Sequence, residues 1–307
     1  MNYSNEIELI GIDGGNPLGF LAAVGTVQLA SGFEPASKLF WRPLAGAWLP
    51  VISGQDGEPA IFLENLGQAL HSASTAHFEI DRKLPFEAAK LEATLAATLQ
   101  EVTPVNRRMA DFLTAFGSEA VQEKGVFEDT PFRMVRSGDA AGQGLPHYAL
   151  ENRKATGLAE LGRTLFEAWD YRDNGFSLRL DPLEDQRYAL RWNNPSKSTL
   201  ADGPGTMLGA NTLALEAFPL FPSVASSGHL LTTGFHRNRQ RQTFFTWPIW
   251  DCPLSVDAMR SMLALAKLRQ DPLPRSELAR MGIVEVYRCQ RIAQNQYYSN
   301  FTPAQPA

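Results

Sequence analysis

The densest group of side chains able to do chemistry is His236-Arg237-Asn238-Arg239-Gln240-Arg241-Gln242. It sets three arginines at alternate positions between two apolar runs. Guanidinium groups present a fork of donors that suits phosphate oxygens. If the run continues a strand, alternate residues share a face and all three arginines align. If it is a hairpin loop, they fan out at the tip. Both geometries suit a polyanion, and the competing reading is a solvated loop. No acid is expected nearby to neutralise the arginines. His236 borders it, and Arg288 and Arg291, with Tyr287, Tyr297 and Tyr298, extend the patch. Phe244, Phe245, Trp247 and Trp250 follow directly and alternate as core residues of a strand do, rather than as stacking platforms.

A second candidate lies upstream. Arg187–Trp192 alternates polar and apolar residues, which predicts a strand, and delivers the polar stretch Asn193-Asn194-Pro195-Ser196-Lys197. An aromatic with amides and one lysine can stack a base and hold a phosphate, so Asn193 and Lys197 join the candidates. The alternative is a polar turn over a core tryptophan. Asp181, Glu184 and Asp185 raise the prospect of a metal-dependent nuclease. Magnesium sites need carboxylates converging from separate elements, however. Asp181-Pro-Leu-Glu-Asp185 reads rather as a turn and helix start.

Other catalytic signals are thin. The five histidines (His71, His77, His147, His229, His236) follow no metal-ligand spacing, and no Gly-x-Ser-x-Gly elbow is present. Cys252 and Cys289 carry no local catalytic signature and cannot make a disulfide framework. Asp13-Gly14-Gly15-Asn16-Pro17 invites a phosphate-loop reading, but it matches neither the Walker nor the dinucleotide pattern. A tight strand-to-helix turn accounts for it better. We expect no catalytic residue, no cofactor and no metal site.

The 307 residues carry 28 Lys+Arg against 33 Asp+Glu, a formal net charge of -5. From His236 onward there are ten basic residues and five acids, a balance of +5, so residues 1–235 carry -10. An acidic body with a basic final third suggests a polyanion partner on one side. With 44% hydrophobic residues the chain can bury a sizeable core. The absence of an apolar run of about 20 residues predicts no membrane span. The opening residues lack a secretory layout and cysteines are few, so a cytoplasmic location is expected.

These residues need elements to hold them. Ile7–Ile12 predicts a strand, and Asn16 and Pro17 suit the N-cap and first position of an almost wholly apolar helix ending at Gly32. Residues 40–42 and 48–52 predict a hairpin. Helical spacing covers about 58–76, 85–102 and 105–121, then 151–169 and 207–218, and a capped helix covers 255–268. Strands are expected at 132–135, 230–235, 243–247 and 283–292, with a functional loop at 193–205 and a frayed tail from Thr302. The fold class is α+β, with β-rich N- and C-terminal parts around a helical middle section. We expect a single globular unit over 1–307. The alternative is two lobes: 1–180, mixed with a helical section, and 181–307, an α+β lobe with the basic surface.

Several segments, taken in order, resemble a known family. Gly11-Ile-Asp-Gly-Gly-Asn-Pro-Leu-Gly-Phe-Leu-Ala-Ala-Val-Gly25 is similar to the opening of large-subunit-like CRISPR-associated proteins of type I-G (formerly I-U) systems. Trp41-Arg-Pro with Trp48-Leu-Pro-Val, Asp181-Pro-Leu-Glu-Asp-Gln-Arg-Tyr, Gly209-Ala-Asn-Thr-Leu-Ala-Leu-Glu and Phe218-Pro-Leu-Phe-Pro-Ser resemble later blocks of that family. So do Trp247-Pro-Ile-Trp with Pro253-Leu-Ser, and Arg291 with Asn300-Phe-Thr-Pro. The resemblance implies a non-catalytic subunit or accessory protein of an RNA-guided interference complex. Its partners would be guide RNA or target DNA, other effector subunits and the helicase-nuclease. The chain is short for a large subunit and its first two-thirds are acidic, which points that part toward protein contacts, up to a pure protein-interaction scaffold.

Overall fold

Asn16 determines where the first helix starts. Its side-chain oxygen accepts the backbone N–H groups of Leu18 (2.8 Å) and Gly19 (3.3 Å), and Pro17 takes the position whose N–H has no partner anyway. In this computed structural model, which describes residues 5–55, 58–136, 138–186, 205–293 and 297–307, the resulting helix α1 spans Pro17–Phe33. Thirteen of its seventeen residues are buried, as expected for a helix apolar on every side.

Before α1 comes β1 (Glu6–Glu8); after it come β2 (Lys38–Leu44) and β3 (Ala47–Ser53). These three form an antiparallel sheet in the order β1-β3-β2. The middle of the chain holds α2 (Pro59–Ser72), α3 (Ala76–Glu79), α4 (Ala88–Glu101) and α5 (Arg108–Phe116), then the hairpin β4 (Gly117–Glu123) and β5 (Val126–Asp129). Helices α6 (Leu145–Ala155), α7 (Leu158–Phe166) and α8 (Leu208–Ala217) follow. The last third has the hairpin β6 (Ser223–Ser226) and β7 (His229–Thr232), then β8 (Phe235–Arg237), β9 (Thr243–Trp250), α9 (Val256–Leu263), α10 (Arg275–Ala279), β10 (Ile283–Ala293), β11 (Ser299–Phe301) and β12 (Gln305–Pro306). Strands β11-β10-β9-β8 make the second large antiparallel sheet, with β12 also paired to β10. Helices and strands are thus mixed as an α+β fold, strand-rich toward both ends. No helix among the described residues is long and apolar enough to cross a membrane.

α1 and α8 form the spine. All ten residues of α8 are buried, and a Cβ added at Gly25 would lie 1.8 Å from the Leu213 carbonyl oxygen, so only glycine permits this backbone approach. The two large sheets meet where Leu39 and Leu254 exchange backbone hydrogen bonds of 2.9 and 3.0 Å. At that junction Phe20 packs against Trp41, Trp247 and Trp250 with ring centroids 5.8–6.2 Å apart. The indole N–H groups of Trp247 and Trp250 donate to the carbonyls of Gly14 (2.8 Å) and Leu39 (2.7 Å).

Several expectations are corrected. The helix expected to reach residue 121 stops at Phe116, and 117–123 is a strand, because Lys124 and Gly125 (φ 53° and 81°) make a two-residue turn that returns the chain as β5. The single helix expected over 151–169 is two, divided at Thr156-Gly157. There the Gly157 N–H donates to the Glu160 carboxylate (2.9 Å) and opens α7. Residues 132–135 make one isolated bridge, Val135 to Tyr298, rather than a strand. β1 ends at Glu8, short of Ile12. α9 ends at Leu263, before a 3-10 turn at Ala266–Arg269. The tail is docked: Gln305 pairs with Arg288, and the Ala307 N–H donates to Val286 (2.8 Å). The strand expected at 187–192 lies outside the described residues, as does most of the 193–205 loop.

Candidate nucleic-acid interface

The arginine run forms the end of the β8–β9 hairpin. Strand pairing is Phe235 to Phe245, His236 to Phe244 and Arg237 to Thr243, which leaves Asn238–Gln242 as the loop. Asn238 fixes the loop: its side-chain oxygen accepts the Gln242 N–H (2.9 Å), and its amide donates to the Gln242 side chain (2.7 Å). Arg241 closes the turn with φ 63°, and its N–H donates to the Asn238 carbonyl (3.0 Å). Of the two geometries expected, this is the loop. Arg237 stands at the strand end, and Arg239 and Arg241 are exposed beyond it. The run has no acid of its own, yet β5 brings Glu128 to 3.5 Å from Arg237, so that guanidinium is partly compensated across the fold.

Arg237, Thr243 and Arg291 form one cross-strand row on a single face of the sheet. The next row on that face is Phe235, Phe245 and Cys289, all buried, so the face passes from core to arginines within two residues. Arg291 donates to the carbonyls of Pro131 (2.9 Å) and Arg133 (3.2 Å). Burial pushes its pKa down to about 10; Arg136, Arg133 and Arg237 push the same way, against a smaller opposite pull from Asp129. Arg133 is held between the carboxylates of Asp129 and Asp139.

This row opens into a cleft of about 650 Å³ between residues 128–136, β7 and β8. Five arginines line it (Arg136, Arg237, Arg241, Arg269 and Arg291) against two carboxylates, Glu128 and Asp129. Among the described residues Arg241, Arg269 and Arg291 form no ion pair within 4 Å, and Arg136 has only Asp129 at 3.6 Å. The cleft therefore carries a surplus of three positive charges. Pro131, Leu231 and Phe235 supply apolar wall.

The remaining candidates are placed differently. Arg288 and Arg291 are three residues apart on one strand, hence on opposite faces, and do not share a patch. Arg288 bonds the Thr246 hydroxyl (3.2 Å) and the Gln270 carbonyl (3.2 Å). His236 is half-buried and stacked on Phe244, centroids 5.6 Å apart and rings within 19°. Its pKa is lowered to about 4 by burial first, then by Arg288 and Arg269, with Asp271 opposing. Its buried Nδ1 has no hydrogen-bond partner among the described residues. Tyr287 stacks on Trp247, and Tyr298 lies under the Arg179 guanidinium, so neither extends the arginine row. Asn193 and Lys197 lie outside the described residues. Arg136, Arg269 and Glu128 went unnoticed in the sequence, because nothing in local spacing links them to the hairpin.

The Asp13–Pro17 turn spends its polar groups internally. Asp13 accepts from Gly15 (2.8 Å) and Trp48 (3.1 Å), and a Cβ at Gly14 would meet Trp41 at 2.5 Å, as a structural turn requires. Asp181 accepts from the Asn16 amide (2.9 Å), the Tyr171 hydroxyl (2.8 Å) and the Leu183 N–H (2.8 Å). Its carboxylate ties α1 to the segment before α8. The Asp185 side chain lies outside what is described, and among the described residues no three His, Cys, Asp or Glu side chains are grouped to hold a metal. The sequence matches no protein-family model, and no curated protein matches it.

Proposed function

We propose that this chain is a non-catalytic, nucleic-acid-binding subunit or accessory protein of a type I CRISPR interference complex. In that role it meets guide RNA or target DNA through the β8–β9 hairpin, while its acidic remainder faces other effector subunits and the helicase-nuclease. The observation that carries the binding half of this reading is the surplus of positive charge in the cleft, adjoining the exposed Arg239 and Arg241. Arg291 is half-buried with no carboxylate partner among the described residues, and the exposed Arg136, Arg237, Arg241 and Arg269 add positive charge beside it that an external anion would neutralise. A phosphate backbone is such an anion and is bound largely through arginine and lysine. The CRISPR context rests on the ordered sequence blocks from Gly11 to Pro303 that resemble that family.

The test is a fluorescence titration of labelled RNA and DNA at several salt concentrations. Replacing Arg237, Arg239 and Arg241 by Ala is expected to weaken binding uniformly across sequences, and to lower the salt slope by about 2 for a single strand if all three contact phosphates. Unchanged affinity and slope would remove the hairpin from the interface. Co-purification with effector proteins without any nucleic-acid shift would leave a protein scaffold instead.

A further inference from the structure

The hairpin loop and the cleft differ in what can reach them. Arg239 projects from an exposed loop, outside the cleft lining and open to any phosphate backbone, while Arg241 of the same loop lies on the rim of the cleft. Arg291 lies inside the cleft, with its guanidinium anchored on the carbonyls of Pro131 and Arg133. A duplex is a stiff rod that presents phosphates on a convex surface and keeps its base faces stacked inside. Such a body can touch the loop but cannot enter an opening of about 650 Å³, which lies in the range of small-molecule pockets, roughly 300–1,000 Å³. A single strand can fold one or two nucleotides inward, and its unstacked bases then need apolar cover. The cleft offers both halves of that requirement. Arg136, Arg269 and Arg291 supply the charge, while Pro131, Leu231 and Phe235 supply apolar surface. Leu231 is 37% exposed, an uncovered leucine on the wall of a cationic cleft.

Resting on the reading that this surface binds nucleic acid, we propose that the cleft between residues 128–136, β7 and β8 holds one or two nucleotides of a single strand. The phosphate lies against Arg136, Arg269 and Arg291 and the base against Pro131 and Leu231, whereas Arg239 on the loop, outside the cleft, contacts the backbone of any form. The cleft is then a selector for single-stranded over paired nucleic acid.

The experiment titrates a short labelled oligonucleotide, single-stranded and as its duplex, against the full chain and three variants. Arg291 is left intact because it also holds two backbone carbonyls. The wild-type protein is expected to prefer the single strand by about tenfold or more. Arg136→Gln with Arg269→Gln removes most of that preference, lowering single-strand affinity far more than duplex affinity. Arg239→Ala, outside the cleft lining, lowers both alike. Leu231→Ser keeps every charge, and is expected to weaken the single strand severalfold at an unchanged salt slope, with a thermal melt confirming the fold. Equal affinity of wild type for both forms, or equal loss of both in the Arg136/Arg269 variant, would overturn the single-strand assignment while leaving nucleic-acid binding in place. Failure of the wild type to bind either form would overturn the reading beneath it as well.

Discussion

Arginines gather in two parts of the molecule under opposite electrostatic conditions. In the helical section, Arg108 of α5 and Arg153 of α6 converge on Glu216 of α8. Arg108 makes two hydrogen bonds to its carboxylate, of 2.7 and 3.0 Å, and Arg153 reaches it at 3.4 Å. Arg153 also donates to the carbonyls of Leu70 and Ala73 at the end of α2. α2, α5 and α6 are thereby tied to α8 around one buried anion. At the cleft, five arginines face two carboxylates, and three of the five have no ion pair among the described residues. Cations completed from within tie the helices together, whereas those of the cleft outnumber the carboxylates beside them. Counting internal partners, rather than arginines, separates the two roles.

The largest effect should come from opening the closed cluster. Glu216→Gln leaves two arginines without a counterion in a buried setting, and is expected to cost about 3–5 kcal/mol in urea unfolding. Protein that remains folded should keep its nucleic-acid affinity and salt slope. A loss under about 1 kcal/mol would show that the cluster is not what joins α5, α6 and α8.

The same cluster sets an acid limit. His77 stacks on Phe112 with centroids 3.6 Å apart, and burial first, then Arg108 and Arg153, lower its pKa to about 2. A base whose pKa falls on folding takes up its proton more readily when unfolded. Its contribution is therefore complete above pH 6.5 and declines as the pH drops toward 2. Between pH 7 and pH 5 this histidine alone should withdraw about 2 kcal/mol of stability. His77→Phe should flatten that part of the pH profile, and also remove an unpartnered buried Nε2. An unchanged acid slope in the variant would place the proton uptake elsewhere.

The smallest effect separates fold from function at one residue. Arg241 adopts φ 63°, a region that favours glycine. Arg241→Gly is expected to raise the unfolding free energy from urea titration by up to about 1 kcal/mol while weakening nucleic-acid binding. If binding is unchanged, Arg241 is only a turn residue and the interface narrows to its neighbours.

Much of this was legible from the sequence where the governing physics is local. Asn16-Pro17 marks a helix start by capping chemistry, and α1 was recognisable as a buried helix from its almost wholly apolar sequence. The hairpin of β2 and β3 and the long strands β9 and β10 follow from alternation. β4 was hidden because Phe112 and Phe116 extend a helical spacing up to Gly117, and Lys124-Gly125 is an uncommon pair for the turn that reveals the hairpin. The site was half legible. Its loop is contiguous in the chain, but the cleft is assembled from 128–136, β7, β8, β10 and Arg269, and only long-range packing joins them. Arg288 and Arg291 look like neighbours in a list of residues, yet a strand's period of two sends them to opposite faces. Glu128, the counterion absent from the arginine run, comes from more than a hundred residues upstream.

The pairing of α1 with α8 also governs the timing of synthesis. α1 is apolar on all sides, and the helix that meets Gly25 in backbone contact begins only at Leu208. At roughly 5–20 residues per second, a ribosome takes about 10–40 s to add the intervening chain. Throughout that interval the nascent protein carries an almost wholly apolar helix without the partner whose backbone it meets at Gly25, and slower or cooler translation lengthens that exposure.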